Sequence, residues 1–194
     1  MLITTTRLIL IPLISLITLG LSSGLSPAVA REAAPLKTVE RVDLKRYAGK
    51  WHQIALLPNR FQAQCLSDTT ATYTLQADGK IEVKNRCVIE GGKTEEVIGA
   101  VKPLSGDTTG AKLKVRFAPA WLAWFPQVWG NYWVIDLDPD YQYAAVSEPD
   151  RKFLWILSRT PTMDAAKYSA LMARLTAMDF DTTKLVVASP TLSK

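Results

Sequence analysis

Histidine and cysteine are scarce in this sequence: among 194 residues there are one histidine, His52, and two cysteines. Nucleophilic triads and zinc-dependent hydrolysis need several such side chains at fixed spacing, and neither a Gly-x-Ser-x-Gly nor a His-Glu-x-x-His motif occurs. If Trp51 points into a core, strand alternation turns His52 outward. We therefore predict no catalytic residues and no cofactor, and we expect that the protein is not an enzyme.

A metal-binding cluster is also missing from the sequence. Asp136, Asp138 and Asp140 are spaced like the start of a calcium loop, but that loop needs glycine at its sixth position and glutamate at its twelfth, and both are absent. A polar hairpin containing Pro139 explains the spacing more simply. We predict no metal site.

Runs of like charge are absent. Lys and Arg total 23 against 18 Asp and Glu, a net charge of +5, and the basic residues are spread over alternating positions. Solvated strand faces account for this pattern better than a nucleic-acid-binding stripe. No nucleic-acid partner is expected, and the oligomeric state is left open.

One long apolar run stands at the start of the chain. Residues 8–21 follow Arg7 and precede a small-x-small tripeptide, Ala28-Val29-Ala30. This layout is typical of a secretory signal, and we predict that residues 1–30 are removed. The run is shorter than a membrane-spanning helix requires, although a retained anchor is the alternative.

The expected export of the protein determines how its two cysteines are interpreted. Neither Cys65 nor Cys87 lies near residue 30, so we expect an exported, soluble protein without an acyl anchor. Exported proteins meet an oxidising compartment, and an even pair of thiols there favours a Cys65–Cys87 disulfide. Two buried free thiols are the alternative.

Apolar and polar residues alternate in short segments separated by turn signals such as Asp78-Gly79. The pattern predicts strands at residues 50–57, 69–76, 80–90, 94–102, 111–118, 131–138, 141–148 and 152–158, then a helix at 162–178 and a last strand at 184–188. The sixth to eighth strands are apolar on both sides and need a cover, which the helix supplies.

These elements predict an all-β fold: an eight-stranded antiparallel up-and-down barrel with one C-terminal α-helix packed outside. We assign residues 31–41 to an N-terminal segment, 42–188 to the barrel with its helix and last strand, and 189–194 to a tail.

Three segments carry a family resemblance. They are Gly49-Lys50-Trp51 with its flanks, residues 130–135 together with 141–146, and residues 154–161, which end in Ser158-Arg159-Thr160-Pro161. In this order the segments resemble the lipocalin family, in particular its bacterial outer-membrane branch. The resemblance implies that Gly49 and Trp51 form the structural motif at the closed end of the barrel and that Arg159 lies over the Trp51 indole.

The barrel interior is the predicted binding site. By alternation, inward positions are expected for Tyr73, Val83, Val115 and Phe117, strand phase from Trp51 adds Gln53 and Ala55, and Asn85 is the polar residue among them. Each of these seven residues could instead simply fill the core.

Residues 118–129, which we call the tryptophan loop, are unusually apolar. Trp121, Trp124 and Phe125 could contact a membrane surface, because indoles favour the headgroup zone. Alternatively the loop folds over the barrel opening or lines the pocket.

The resemblance implies a carrier or store of one small hydrophobic ligand, most plausibly a fatty acid or a lysophospholipid, serving envelope lipid maintenance in the periplasm of a Gram-negative bacterium. Two alternatives remain: a lipid-modifying enzyme built on the same barrel, and a membrane-surface module that acts through the tryptophan loop.

Overall fold

Eight antiparallel strands form a sheet that closes on itself. The computed structural model describes residues 34–188 and the backbone of 192–193, so the predicted signal at 1–30 lies outside the described residues, as does most of the predicted tail. The strands are β1 (Gly49–Leu56), β2 (Ser67–Leu75), β3 (Ile81–Val88), β4 (Thr94–Pro103), β5 (Lys112–Arg116), β6 (Gly130–Leu137), β7 (Tyr143–Ser147) and β8 (Leu154–Ser158). Each pairs with the next, and β1 pairs with β8. The predicted barrel is confirmed.

Three short strands complete the sheet structure: β9 (Met163–Asp164), β10 (Val186–Val187) and β11 (Leu192–Ser193). β10 adds to the edge of β1, and β9 pairs in parallel with β11. The last barrel-associated strand is thus shorter than the predicted 184–188, because Thr182–Lys184 form a 3₁₀ turn in which the Asp181 side chain accepts from the Thr183 amide.

Two helices flank the barrel. A short α1 (Leu44–Tyr47), which the sequence pattern did not reveal, is capped by Asp43, whose side chain accepts from the Lys45 amide. The longer α2 (Ala165–Ala177) begins three residues later than predicted, because β9 takes Met163 and Asp164, and Asp164 is its N-cap. Neither helix in the described part of the chain is long and apolar enough to cross a bilayer.

The core has two compartments, one on each side of the wall formed by β1, β6, β7 and β8. Inside the barrel, Trp51, Tyr73, Val83, Leu113 and their neighbours pack together. Outside, Leu171 and Leu175 of α2 pack against wall residues such as Ile156. This second compartment explains why the last strands are apolar on both faces.

An ion pair joins helix to barrel beside the outer compartment. The Arg174 Nε donates to Asp136 Oδ2 at 2.6 Å and Nη2 donates to Oδ1 at 3.1 Å. The carboxylate of Asp136, considered above as the start of a calcium loop, therefore has the Arg174 guanidinium as its ionic partner.

Candidate functional site

The strand connections divide the barrel into two ends. The β2–β3, β4–β5 and β6–β7 turns lie with α1 at one end, which we call the closed end. The β1–β2, β3–β4, β5–β6 and β7–β8 connections lie at the other, the open end. Side chains that share the Trp51 side of the sheet form the inner face.

Trp51 fills the closed end. Its indole is fully buried and donates from Nε1 to the Tyr47 carbonyl at 2.8 Å. The Arg159 guanidinium carbon lies 3.8 Å from the Trp51 ring centroid, a cation–π contact. Arg159 also donates to the carbonyls of Arg46 and Lys50 at 2.6 and 3.0 Å. One side chain thus covers the indole and binds the backbone around it.

Gly49 makes this close approach possible. Its φ of +97° lies in the left-handed region, and a Cβ at this position would lie 3.3 Å from Arg159 Nη1. A larger residue would be strained and would crowd the guanidinium. The Gly-x-Trp motif is therefore used here as a structural element.

Three tyrosine hydroxyls meet behind Trp51. The Tyr47 and Tyr132 hydroxyls are 2.7 Å apart, and Tyr73 donates to Tyr132 at 2.8 Å. All three residues are buried, and burial raises the pKa of each phenol above its usual value. The space left beside Tyr47 and Tyr73 is about 10 Å³, roughly one water. Tyr73, predicted as a ligand contact, belongs to this packed closed end, and Val83 is buried beside it.

The inner face changes character toward the open end. The strand register places Trp51 opposite Ala71, Ala71 opposite Asn85, and Asn85 opposite Val97, so these four share the inner face. Trp51 is fully buried, whereas Val97 is 43% exposed and Phe117, also on this face, is 39% exposed. The apolar inner face is therefore packed at the closed end and exposed to solvent toward the open end.

A hydrogen-bonded group of side chains lies on this face near the open end. Trp155 Nε1 donates to Gln62 Oε1 at 2.6 Å, and Gln62 Nε2 donates to Gln53 Oε1 at 2.8 Å. Gln53 was predicted from the sequence, but Gln62 and Trp155 were not. Gln62 lies in a loop without a periodic pattern of apolar residues. Its position three residues before Cys65 was the one feature of the sequence that could have placed it near the open end.

The disulfide anchors that loop. Cys65 and Cys87 are bonded, with their Cα atoms 5.5 Å apart, which confirms the predicted pair and excludes two free thiols. Cys87 belongs to β3 and Cys65 to the β1–β2 loop. The bond therefore fixes the loop that carries Gln62 against the wall of the open end.

The prediction that Ala55 faces the interior was wrong. A β-bulge between Gln53 and Ala55 brings Gln53 opposite Leu157 but Ala55 opposite Ile156. Because Ile156 belongs to the outer compartment, Ala55 is buried there as well, beneath α2. The extra residue of the bulge reverses the strand phase on which the prediction depended.

Val115 and Asn85 both lie on the inner face, each partly buried. Val115 packs against the closed-end core and is opposite Val101, whereas Asn85 is one register row nearer the open end than Val83. Six of the seven predicted side chains therefore share the inner face. Tyr73 and Val83 are packed in the closed-end core, and Val115 packs against it. Gln53, Asn85 and Phe117 lie nearer the open end.

The carboxylates at the open end have other partners. Glu148 accepts from the Asp150 and Lys152 amides at 2.9 and 2.6 Å and so caps the β7–β8 turn. Glu95, opposite Cys87, is exposed and accepts from Gln64. His52 lies outside the barrel, and burial, followed by the charge of Lys50, lowers its pKa. Among the described residues, no three potential metal ligands cluster.

The tryptophan loop follows the outer wall. Trp129 Nε1 donates to the Ala123 carbonyl at 2.8 Å, and the Lys102 Nζ lies 4.0 Å from the Trp129 ring centroid. Lys102 lies next to inward-facing Val101 and so points outward. The alternative that these indoles line the pocket is therefore wrong for Trp129, because its partner is on the outside.

Comparisons with known proteins agree on one family. A family model for a lipocalin-like domain matches residues 42–190. Temperature-induced lipocalin-1 of Arabidopsis thaliana is 40% identical over 155 residues, 79% of this chain and 82% of that protein. Outer membrane lipoprotein Blc of Escherichia coli (strain K12) is 38% identical over 149 residues, 76% of this chain and 79% of that protein.

A solved structure agrees in fold. Insecticyanin from the tobacco hornworm Manduca sexta superposes with a TM-score of 0.63 at 24% identity, over 84% of this chain and 92% of that one. Identity at this level is evidence of shared fold alone.

Proposed function

Because the chain belongs to the lipocalin family, whose members bind small hydrophobic ligands, we propose that it binds and carries one lipid molecule in the open half of its barrel. The observation that supports this best is the exposure of Val97 and Phe117 on the inner face. Apolar side chains held open to solvent inside a barrel are stabilised when an acyl chain covers them, at about 0.8 kcal/mol per buried methylene.

The polar group of the ligand is proposed to meet the amides of Gln53, Gln62 and Asn85. No lysine or arginine occupies an inner-face position of β1–β8, all of whose residues the structure describes. An ionised carboxylate buried without a cation is costly. Of the two ligand classes expected from the sequence, this wall without cations favours a lysophospholipid, whose charged head group can stay at the open end.

The experiment is native mass spectrometry of the protein purified from its own cells, followed by denaturing extraction of what came with it. A stoichiometric lysophospholipid is the expected result. An empty barrel that also fails to take up lysophosphatidylcholine and palmitate in titration would contradict the carrier proposal, and preference for palmitate would contradict the head-group argument.

Two adjacent residues of β4 give a matched pair of variants. Val97 lies on the inner face and Ile98 on the outer face, and both are exposed. Val97→Trp should fill the cavity and weaken lysophosphatidylcholine binding by at least about tenfold, which corresponds to about 1.4 kcal/mol. Ile98→Trp should leave binding unchanged. Equal effects of the two would mean that the ligand does not occupy the barrel.

An enzymatic role has less support. It needs an acid or base facing the ligand, and of the carboxylates near the open end Glu148 caps a turn and Glu95 is exposed to solvent.

We further propose that the protein acts in the bacterial envelope, which accords with its similarity to an outer membrane lipoprotein. A soluble periplasmic form beginning near residue 31 is the version we expect. Cell fractionation with intact-mass measurement tests this. Recovery in the membrane fraction with an acyl mass increment would contradict the soluble form, and recovery in the cytoplasm with residues 1–30 present would contradict export.

A further inference from the structure

A groove outside the barrel separates the tryptophan loop from the outer face of β4 and β5. Its volume is about 430 Å³, within the range of small-ligand sites. Trp124, Pro126 and Trp129 line it from the loop, and Lys102 and Lys114 line it from the strands. The groove is thus aromatic on one side and basic on the other.

Its positive charge has no counterion in the described residues. Lys102 and Lys114 are directly opposite each other in the β4–β5 register, where like charges repel. None of the ion pairs among the described residues includes either lysine, and no acidic side chain lines the groove. An anion between the two ammonium groups would remove this repulsion.

A third cation, Arg116, contacts the same indole as Lys102. The Arg116 guanidinium carbon lies 5.3 Å from the Trp129 ring centroid, on the ring that Lys102 also contacts. Arg116 is buried, and its Nε has no hydrogen-bond partner among the described residues. The loop is therefore held by indole–cation contacts, with no carboxylate in them.

The outward side of the loop is apolar. Trp121 and Trp124 are 72% and 73% exposed, and Trp124 stacks on Phe125 with ring centroids 3.4 Å apart. Indoles are amphipathic and favour the boundary between lipid headgroups and acyl chains. The exposed indoles match the boundary between headgroups and acyl chains, and the cations without counterions match the layer of anionic headgroups above it.

We propose that the tryptophan loop docks the protein on an anionic phospholipid bilayer, with a lipid phosphate between Lys102 and Lys114 and with Trp121 and Trp124 in the headgroup zone. This surface lies outside the barrel and goes beyond the carrier function. The loop follows Phe117 of the inner face directly, so docking brings the open end next to the membrane from which a lipid would enter.

The test is co-sedimentation of the purified protein with vesicles of phosphatidylcholine alone and of phosphatidylcholine mixed with phosphatidylglycerol. We expect binding to the mixed vesicles that falls as salt screens the charges. Lys102→Gln combined with Lys114→Gln should weaken it by about thirtyfold, since each cation near an anionic surface contributes about fivefold. Lys45→Gln combined with Lys167→Gln is the control of equal charge, because these exposed lysines lie on α1 and α2.

A second pair of variants tests the indoles. Trp121→Ala combined with Trp124→Ala should weaken vesicle binding by at least about tenfold. Val186→Ala, on exposed β10, is the control. Circular dichroism checks that each variant is folded, and exposed substitutions should leave the fold intact.

Several outcomes would overturn the proposal. They are no sedimentation with either vesicle, equal binding to neutral and anionic vesicles, and equal losses in the groove and control lysine variants. Saturation of the groove by inorganic phosphate without vesicle binding would instead identify a free-anion site. The Val97→Trp variant separates this proposal from the carrier function, because it should still sediment while losing the soluble ligand.

Discussion

The two ends of this barrel are built from the same strands and differ in what fills them. At the closed end, Trp51, Tyr47, Tyr73 and Tyr132 pack against one another and satisfy their polar atoms internally. At the open end the same inner face presents Val97 and Phe117 to solvent. Alternation of apolar and polar residues accounts for the barrel, whereas the side-chain volume at each level decides whether the interior is packed or open to solvent.

Stability and binding are accordingly expected to reside at opposite ends. Truncating a closed-end residue removes packing that nothing can replace, whereas an open-end residue such as Val97 is already exposed to solvent. Substitutions at the two ends should separate these properties.

Removing a packed side chain from the closed end should lower stability the most. Trp51→Ala should lower the free energy of unfolding by about 3–5 kcal/mol, because it leaves a large cavity beneath Arg159. Val97→Ala, on the same inner-face row, should cost less than about 1 kcal/mol, since Val97 is 43% exposed. Denaturant unfolding measures both, and equal losses would mean that the open end is packed like the closed end.

The next effect concerns the covalent bond at the open end. Replacing both cysteines by alanine frees a loop whose ends are 22 residues apart and should cost about 3 kcal/mol on the loop-entropy estimate. Lysophosphatidylcholine binding should also weaken, because the Gln62 loop is released from the wall. Gln62→Leu separates the two effects: it should weaken binding with the disulfide intact. Unchanged binding in both variants would contradict a role for this loop in holding the ligand.

The tyrosine group predicts a dependence on alkaline pH. Burial raises the pKa of Tyr47, Tyr73 and Tyr132, so these phenols keep their protons in the folded state when an unfolded chain begins to lose its own, near pH 10. Stability should be unaffected by these groups below that pH and should fall as pH rises above it. Tyr132→Phe should cost about 2 kcal/mol at neutral pH and make the alkaline loss less steep. Thermal unfolding from neutral to strongly alkaline pH tests this, and an unchanged slope in the variant would contradict it.

The variants with the smallest expected effect test which residues of β1 face the barrel interior and which face outward. Ala55→Leu should cost about 1 kcal/mol or somewhat more by overpacking the compartment beneath α2, and it should leave ligand affinity unchanged. Gln53→Leu, two residues earlier, should weaken binding of the head group with little change in stability. If Ala55→Leu reduced affinity and kept full stability, the bulge would not reverse the strand phase as described.

The sequence was a good guide to what repeats and a poor one to what interrupts the repeat. Eight strands and an outer helix follow from periodicity, because each strand must bury one face. Ala55 was misplaced because a bulge adds one residue and leaves no mark in the apolar pattern. Gln62 and the course of the tryptophan loop were missed for another reason: their positions depend on contacts with Trp155 and Lys102, which lie far away in the chain.

The contacts of Arg159 also constrain when this protein can fold. Its guanidinium bonds to the carbonyl of Arg46, 113 residues earlier, and β8 beside it closes the sheet against β1. The first strand therefore lacks its cover and one of its neighbours until nearly the whole chain has been synthesised. Such distant pairings slow folding. The barrel can therefore close only after its last strand has left the ribosome, so the complete sheet forms late in the life of the nascent chain.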